Sequence, residues 1–206
     1  MKYFIVLALF VLFSCGKQEE VLLPKSNLTI VKEVTDLSPI YIFFRTKGKD
    51  TLAVVNRKNS IISTNWILNV DKRLPLRLVI PEIIKLQQKK QEDKAHKNEK
   101  AENYYSYADT IGENLAFIPF TNVYYKAEKP NARVAVTFKA NNQILVDGIL
   151  VKQEELKSYL EKISNNKPSH YFFCFDKNMT FGNYLQNKIQ LESSKLNSKT
   201  NQEFIY

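Results

Sequence analysis

The stretch YFFCFDKNMTF, residues Tyr171–Phe181, decides the fold of the C-terminal half of the chain. Its first five residues, Tyr171–Phe175, are apolar on both faces, as in a central strand of a sheet that helices cover. Residues Gly182–Ser193 then predict a helix by their apolar spacing. The residues that this helix would turn inward are Tyr184, Leu185, Ile189 and Leu191. The stretch therefore predicts a buried strand, a turn and a helix that packs on the sheet.

A similar stretch, ILNVDKRLPL at Ile67–Leu76, lies 105 residues earlier. Both stretches begin with an apolar strand that ends in Asp-Lys, and both continue with apolar residues in the loop. Apolar positions of the following helices also fall in register: Ile80 with Leu185, Ile84 with Ile189, and Leu86 with Leu191. Two explanations stay open, a duplication that gives two related α+β units or a coincidence of two strand-loop-helix segments.

Short runs rich in β-branched and aromatic residues predict further strands around both stretches. The predicted strands are Leu28–Val34, Ile40–Arg45, Thr51–Val55, Trp66–Asp71, a hairpin of Val134–Phe138 with Ile144–Val146, and a terminal edge strand at Glu203–Tyr206. Pro81 suits the first turn of a helix that starts at Glu82, and Glu154–Ser164 predicts an amphipathic helix. The predicted fold class is α+β, with small mixed sheets covered by amphipathic helices.

Changes in composition divide the chain. Residues 1–14 read as a signal peptide and 15–27 as a polar tether. Residues 28–126 form a strand-rich unit that includes a charged helical extension at 87–103, which is expected to be solvated because it has no large apolar residue. Residues 132–206 form the second α+β unit.

The N-terminus has the features of a bacterial secretory signal peptide. Lys2 supplies a positive charge, and the apolar run Phe4–Phe13 is shorter than the roughly 20 residues of a transmembrane helix. The tetrapeptide LFSC at Leu12–Cys15 resembles the lipobox of bacterial lipoproteins. This resemblance implies cleavage before Cys15 and acylation of Cys15, with palmitate among the chains, which would anchor the domain on a membrane of the cell envelope, in the periplasm or at the surface. An ordinary signal peptide with an incidental Cys15 is the alternative.

Three short motifs in the C-terminal unit occur at a distinctive spacing. They are ILVDG at Ile144–Gly148, Asp-Lys at Asp176–Lys177 and Phe-Gly at Phe181–Gly182. With their surroundings, they resemble the periplasmic domain of the ExbD/TolR family of biopolymer-transport proteins. The resemblance implies a small α+β domain that, in its relatives, dimerises and contacts envelope partners or peptidoglycan. The acidic transmembrane helix of that family has no counterpart here, so the resemblance implies interaction and not proton coupling.

The residue inventory offers little for catalysis. Two Cys and two His leave little for a zinc site, and the five Gly form neither a G-x-G-x-x-G nor a Walker loop. The sequence also lacks the G-x-S-x-G, H-E-x-x-H and C-x-x-C motifs. We therefore expect no enzymatic activity, no metal and no cofactor. His96 and His170 have no neighbours that could share a metal, and Cys174 is expected to be a small buried residue.

Asp71 and Asp176 end the two repeated strands and are the candidate polar sites. Each is expected to cap the turn or helix that follows it, because Asp accepts backbone N–H bonds well. A pair of carboxylates is the alternative if the two units face each other across a pseudo-twofold axis.

The net charge of +9 comes from dispersed Lys, with 25 Lys against five Arg. Base-reading surfaces favour Arg, so we expect anionic envelope components as partners and no nucleic acid. One functional hypothesis is a non-enzymatic envelope lipoprotein that contacts envelope proteins or forms a homodimer, accessory to biopolymer transport. The other is a lipoprotein that binds a glycan or other small ligand in an aromatic pocket formed by Trp66, Tyr104, Tyr107 and Tyr124. An exposed apolar edge would favour the first, and a concave aromatic pocket the second.

Overall fold

The computed structural model describes residues 19–93, 98–130, 134–166, 171–196 and 201–206. Within these ranges the chain forms two mixed sheets of six strands each and three α-helices. The predicted α+β fold class is confirmed.

The first sheet is built from the N-terminal half of the chain. Its spatial order is β1-β5-β4-β2-β3, and β6 also pairs with β5. The strands are β1 (Lys25–Ser26), β2 (Leu37–Lys47), β3 (Asp50–Asn56), β4 (Asn65–Val70), β5 (Asn103–Asp109) and β6 (Asn114–Pro119). A two-residue turn joins β2 to β3, and Gly48 occupies it at a φ of +62°, a conformation that favours glycine.

The second sheet has the spatial order β10-β9-β8-β11-β12-β7. Its strands are β7 (Tyr124–Lys126), β8 (Val134–Phe138), β9 (Ile144–Val146), β10 (Ile149–Val151), β11 (Tyr171–Phe175) and β12 (Gln202–Ile205). β11 pairs in parallel with β8 on one side and with β12 on the other. The apolar run Tyr171–Phe175 therefore forms a central strand, as predicted.

Three helices in the described part of the chain cover the sheets: α1 (Leu76–Glu92), α2 (Leu156–Asn166) and α3 (Phe181–Ser193). The side chain of Thr180 caps α3 by accepting a hydrogen bond from the backbone N–H of Asn183 at 3.3 Å. α1 starts at Leu76 and not at Glu82, so Pro81 lies inside the helix. Because proline has no N–H, the carbonyl of Arg77 loses its partner four residues later.

The two sheets share a core topology. The order β3-β2-β4-β5 in the first corresponds to β9-β8-β11-β12 in the second. The first pair of each set, β3-β2 and β9-β8, is antiparallel. The next two pairs of each set are parallel. α1 connects β4 to β5 as α3 connects β11 to β12. The similarity of the two sequence stretches is therefore matched by a repeat in the fold.

The segments that follow the two repeated strands pair with each other. Pro75 and Thr180, which are 105 residues apart, form an antiparallel bridge. The flanking hydrogen bonds, from N–H to carbonyl, are Leu76 to Met179 (2.9 Å), Phe181 to Leu74 (2.7 Å), Arg77 to Lys177 (2.8 Å) and Gly182 to Lys72 (3.0 Å). Each bond has a counterpart between the repeat equivalents of the same two residues. A pseudo-twofold axis therefore passes between Pro75 and Thr180.

One hydrophobic core extends across this axis. It includes buried residues of both sheets and of all three helices. Tyr105 of β5 stacks on Phe120, with ring centres 3.8 Å apart, and meets the edge of the Phe181 ring of α3 at 5.2 Å. The two units therefore share one hydrophobic core and are not separate domains joined by a linker.

Three local predictions differ from the structure. Of the predicted strand Leu28–Val34, only Val31 forms a bridge, to Phe117. The predicted terminal edge strand is internal, because β7 covers the free side of β12. β7 therefore belongs to the second sheet, although its residues fall within the predicted range of the first unit.

Candidate functional site

Asp71 follows β4 directly, and its side chain is fully buried. Oδ1 accepts hydrogen bonds from the backbone N–H (3.0 Å) and Nε (2.9 Å) of Arg73, and Oδ2 accepts from the same guanidinium (2.7 Å) and from the backbone N–H of Leu22 (3.3 Å). Burial raises the pKa of Asp71, but the hydrogen bonds and the charge of Arg73 outweigh burial and hold the pKa below its ordinary value. Asp71 thus ties the N-terminal segment to the turn after β4.

Asp176 occupies the equivalent position after β11. Its Oδ1 accepts a hydrogen bond from the backbone N–H of Asn178 at 2.9 Å, as Asp71 does from Arg73. The loop segments run antiparallel around the axis, so the two carboxylates lie at opposite ends of the paired region. The structure therefore does not bring Asp71 and Asp176 together as a catalytic pair, and each caps the turn that follows its own strand.

Two of the four candidate aromatic residues belong to the core. Trp66 is 1% exposed, and its Nε1 donates to the carbonyl of Ile61 at 2.8 Å. Tyr107 is fully buried, donates its hydroxyl to the carbonyl of Leu28 at 2.9 Å and accepts from the N–H of Ile30 at 2.9 Å. Both side chains serve packing and leave no ring face open to a ligand.

The other two aromatic residues lie elsewhere. Tyr104 neighbours Tyr105 on β5 and so points to the opposite face of the sheet from Tyr107. Its hydroxyl donates to Glu102, and partial burial together with that carboxylate raises the pKa of Tyr104 to about 12. Tyr124 is 54% exposed on β7 of the second sheet. The structure therefore does not bring these four rings into one pocket.

A buried polar chain that the sequence analysis did not find crosses between the units; we call it the tyrosine network. The hydroxyls of Tyr105 and Tyr125 lie 2.6 Å apart, and those of Tyr125 and Tyr184 lie 3.2 Å apart. Tyr184 donates to Oε2 of Glu203 at 2.7 Å, and Lys188 forms an ion pair with Oε1 of Glu203. Burial first, then the neighbouring hydroxyls and Glu203, raise the pKa of Tyr105 and Tyr184 well above the ordinary tyrosine value. Nothing in the local sequence pattern pairs residues so far apart.

Lys90 is a second buried polar residue that the sequence analysis missed. It lies in the charged extension that was expected to be solvated, yet it is only 9% exposed. Its Nζ donates to the carbonyls of Thr64 (3.0 Å) and Glu102 (3.1 Å) and to Oδ1 of Asn103 (2.9 Å), and it lies 5.0 Å from the ring centre of Trp66. Burial lowers the pKa of Lys90 to about 8. The side chain fastens the end of α1 to the start of β5.

Two clefts flank the pseudo-twofold axis, each between the helix of one unit and the sheet of the other. The larger, the amide cleft, has a volume of about 500 Å³ and lies between α3 and the segment Lys25–Asn27 of the first unit. Seven of its lining residues are Asn or Gln, four of them on α3: Asn183, Gln186, Asn187 and Gln190.

The second cleft, the basic apolar groove, has a volume of about 300 Å³ and lies between α1 and the strands β7 and β12. Its apolar and aromatic lining is Leu76, Ile80, Pro81, Ile84, Tyr125, Ala127, Ile205 and Tyr206. Arg77, Lys126 and Lys177 also line it, and all three side chains are exposed.

The edge strand β10 exposes apolar side chains. Ile149 is 56% exposed and Leu150 is 63% exposed. Among the described residues β10 pairs with β9 alone, so its second side keeps free backbone groups. Among the described residues, this second side of β10 is therefore open to pairing with another strand.

Three of the candidate residues, Cys15, His96 and His170, lie outside the described residues. Cys174 is buried with a free thiol, and burial raises its pKa. No group of three or more His, Cys, Asp or Glu within the described ranges could hold a metal ion. In the same ranges, no helix combines the length and apolar content that a membrane crossing requires.

The comparisons with known proteins add no relative. No family model, no curated protein and no solved structure matches the chain.

Proposed function

We propose that the chain is a membrane-anchored cell-envelope lipoprotein whose domain acts as a non-enzymatic protein-interaction module, accessory to biopolymer transport of the ExbD/TolR type. The observation that carries the proposal is the apolar edge strand β10, where Ile149 and Leu150 are exposed beside unpaired backbone groups. An apolar sheet edge of this kind favours a protein partner, because a strand added there satisfies the backbone and buries both side chains.

The internal repeat supports the same proposal. Domains of the ExbD/TolR family act as dimers, and in this chain two units of one topology pack around a pseudo-twofold axis. The chain would thus supply within one molecule an arrangement that those proteins build from two. The β10 edge lies at the end of the second sheet, away from the paired loops on the axis, and stays free for a partner.

The anchor is tested by Cys15→Ser. We expect the wild-type chain to incorporate labelled palmitate and to fractionate with membranes, and the variant to lose the label and become soluble. Retention of the variant on the membrane would contradict the anchor.

The partner is tested by placing a photo-crosslinking amino acid at Leu150 in living cells. Ile61, which is 59% exposed in the first unit, serves as the matched control position. We expect adducts from position 150 that mass spectrometry identifies as an envelope protein or a second copy of the chain, and none from position 61. Equal adducts at both positions, or none at 150, would contradict an interaction through β10.

Glycan binding is a second candidate function. The site for it is the amide cleft and not the four aromatic residues of the sequence-based hypothesis. The amide cleft favours a ligand rich in hydroxyl or amide groups, because its seven amide side chains offer both donors and acceptors. Binding of soluble peptidoglycan fragments that is lost in Asn187→Leu, without crosslinked partners at β10, would support it.

A further inference from the structure

The basic apolar groove and the amide cleft occupy equivalent places in the repeat. Each lies between the helix that follows a repeated strand and the edge of the opposite unit. Pro81 lines the basic apolar groove, and its repeat equivalent, Gln186, lines the amide cleft. A second equivalent pair keeps an apolar residue in each cleft, Ile84 in the groove and Ile189 in the amide cleft. The same position in the fold therefore carries two different chemistries, and the two clefts suit different ligands.

The groove combines an apolar floor with cationic walls. Leu76, Ile80 and Ile205 are buried at its floor, and Ile84 is half-buried. Arg77, Lys126 and Lys177 stand exposed around it, Tyr206 also lines it, and none of the described lining residues is Asp or Glu. A neutral apolar ligand would not use the three positive charges, and a small hydrophilic anion would not use the floor.

We propose that this groove binds a single-chain amphiphile with a carboxylate head, whose hydrocarbon tail lies on the apolar floor and whose head pairs with the exposed cations. The volume of about 300 Å³ fits a small molecule and not a folded partner. Arg77 offers a planar guanidinium that can hold a carboxylate through two hydrogen bonds, and the two lysines add positive charge. This inference does not depend on the proposed role at β10.

The probe is dodecanoate at monomeric concentration, titrated by calorimetry into the full chain carrying Cys15→Ser. Dodecyltrimethylammonium has the same tail and the opposite charge, and acetate has the head alone. We expect saturable 1:1 binding of dodecanoate, affinity for the ammonium lower by about tenfold or more, and no measurable binding of acetate. Equal affinity for both amphiphiles would overturn the role of the cations.

Pro81 allows a variant that is not expected to harm the fold. Pro81→Gln and Pro81→Glu both restore the missing N–H inside α1, and only the second adds a negative charge to the groove. We expect Pro81→Glu to bind dodecanoate about tenfold more weakly than Pro81→Gln. Equal affinity of these two variants would show that the ligand does not sit in this groove.

The charge requirement has its own matched pair. Arg77→Gln with Lys126→Gln should weaken dodecanoate binding, whereas Lys49→Gln with Lys157→Gln removes the same charge from exposed sites elsewhere and should leave it intact. Equal effects of the two double variants would overturn the proposal, as would adsorption to phosphatidylglycerol vesicles without any binding of monomeric dodecanoate.

Discussion

Pro75 and Thr180 face each other in an antiparallel bridge although they occupy the same position in two successive repeats. A residue can lie opposite its own equivalent only where a twofold axis passes. The turn after each repeated strand therefore leads into its own helix and also forms hydrogen bonds with the other unit.

Gly182 tests how tightly the units meet on this axis. A Cβ at this position would lie 3.1 Å from Cβ of Lys72 and 3.2 Å from its carbonyl oxygen, which accepts the N–H of Gly182. We expect Gly182→Val to lower the free energy of unfolding by about 2 kcal/mol in urea denaturation. Gln190→Val, at an exposed position of the same helix, is the control and should cost about 0.5 kcal/mol. Equal losses would show that the close approach does not limit the interface.

Asp71 and Asp176 can be compared as repeat equivalents with different surroundings. Asp71→Asn leaves the Arg73 guanidinium without its buried carboxylate and should cost about 2 kcal/mol, whereas Asp176→Asn weakens one backbone contact and should cost about 1 kcal/mol or less. The measurement is urea denaturation at pH 7.

Asp71 also predicts how the stability of the folded chain depends on pH in the acid range. The pKa of Asp71 is lower in the folded chain than its ordinary value of 3.8, so its contribution is present above that value and is lost as the pH falls through the folded pKa. The gap in stability between wild type and Asp71→Asn should therefore narrow below pH 4. A gap that stays constant down to pH 2 would contradict this assignment.

Lys90 predicts a gain of stability in mildly alkaline solution. Its pKa of about 8 is below the value of 10.5 expected for the unfolded chain, so between these values the unfolded state binds more protons and stability rises with pH. From pH 8 to 9.5 the wild type should gain about 1.5 kcal/mol relative to Lys90→Met. Parallel pH profiles of the two proteins would exclude this titration.

The tyrosine network predicts the opposite trend at higher pH. The raised pKa of Tyr105 keeps its hydroxyl protonated when the folded chain passes pH 10, whereas unfolded tyrosines ionise there, so stability falls as the pH rises. Tyr105→Phe should reduce this fall between pH 10 and 11.5. Phe120→Leu, which changes the ring stacked on Tyr105 and carries no proton, should shift stability without changing the slope. An unchanged slope in Tyr105→Phe would contradict the prediction.

Elements whose neighbours are close in sequence were predictable. The run Tyr171–Phe175 and the helix after it were found because burial on both faces and helical spacing are local patterns. The hairpin of β8 and β9 was predictable for the same reason, because its two β-branched runs are neighbours in the sequence. The segment Leu28–Val34 has strand-like composition, but only Val31 finds a partner, because composition does not state whether a neighbouring strand is available.

Features built from distant residues were not predictable from one sequence. Tyr105 and Glu203 join one hydrogen-bonded chain only because the repeats close around the axis. Lys90 was read as solvated because its neighbours are polar, and the fold buries it among three acceptors. The four aromatic candidates failed as a pocket because successive residues of β5 point to opposite faces and Tyr124 lies in the other sheet.

β7 precedes every other strand of the second sheet in the chain, yet it pairs with β12, which follows all of them. That sheet can close only after the whole unit has left the ribosome, whereas the strands of the first sheet have emerged by Pro119. Contacts this distant in sequence slow folding. The apolar surface of α1 and Tyr105 stays exposed to solvent until the second unit docks on it. The order in which these strands are made therefore leaves the half-synthesised chain with exposed apolar surface until the second unit is complete.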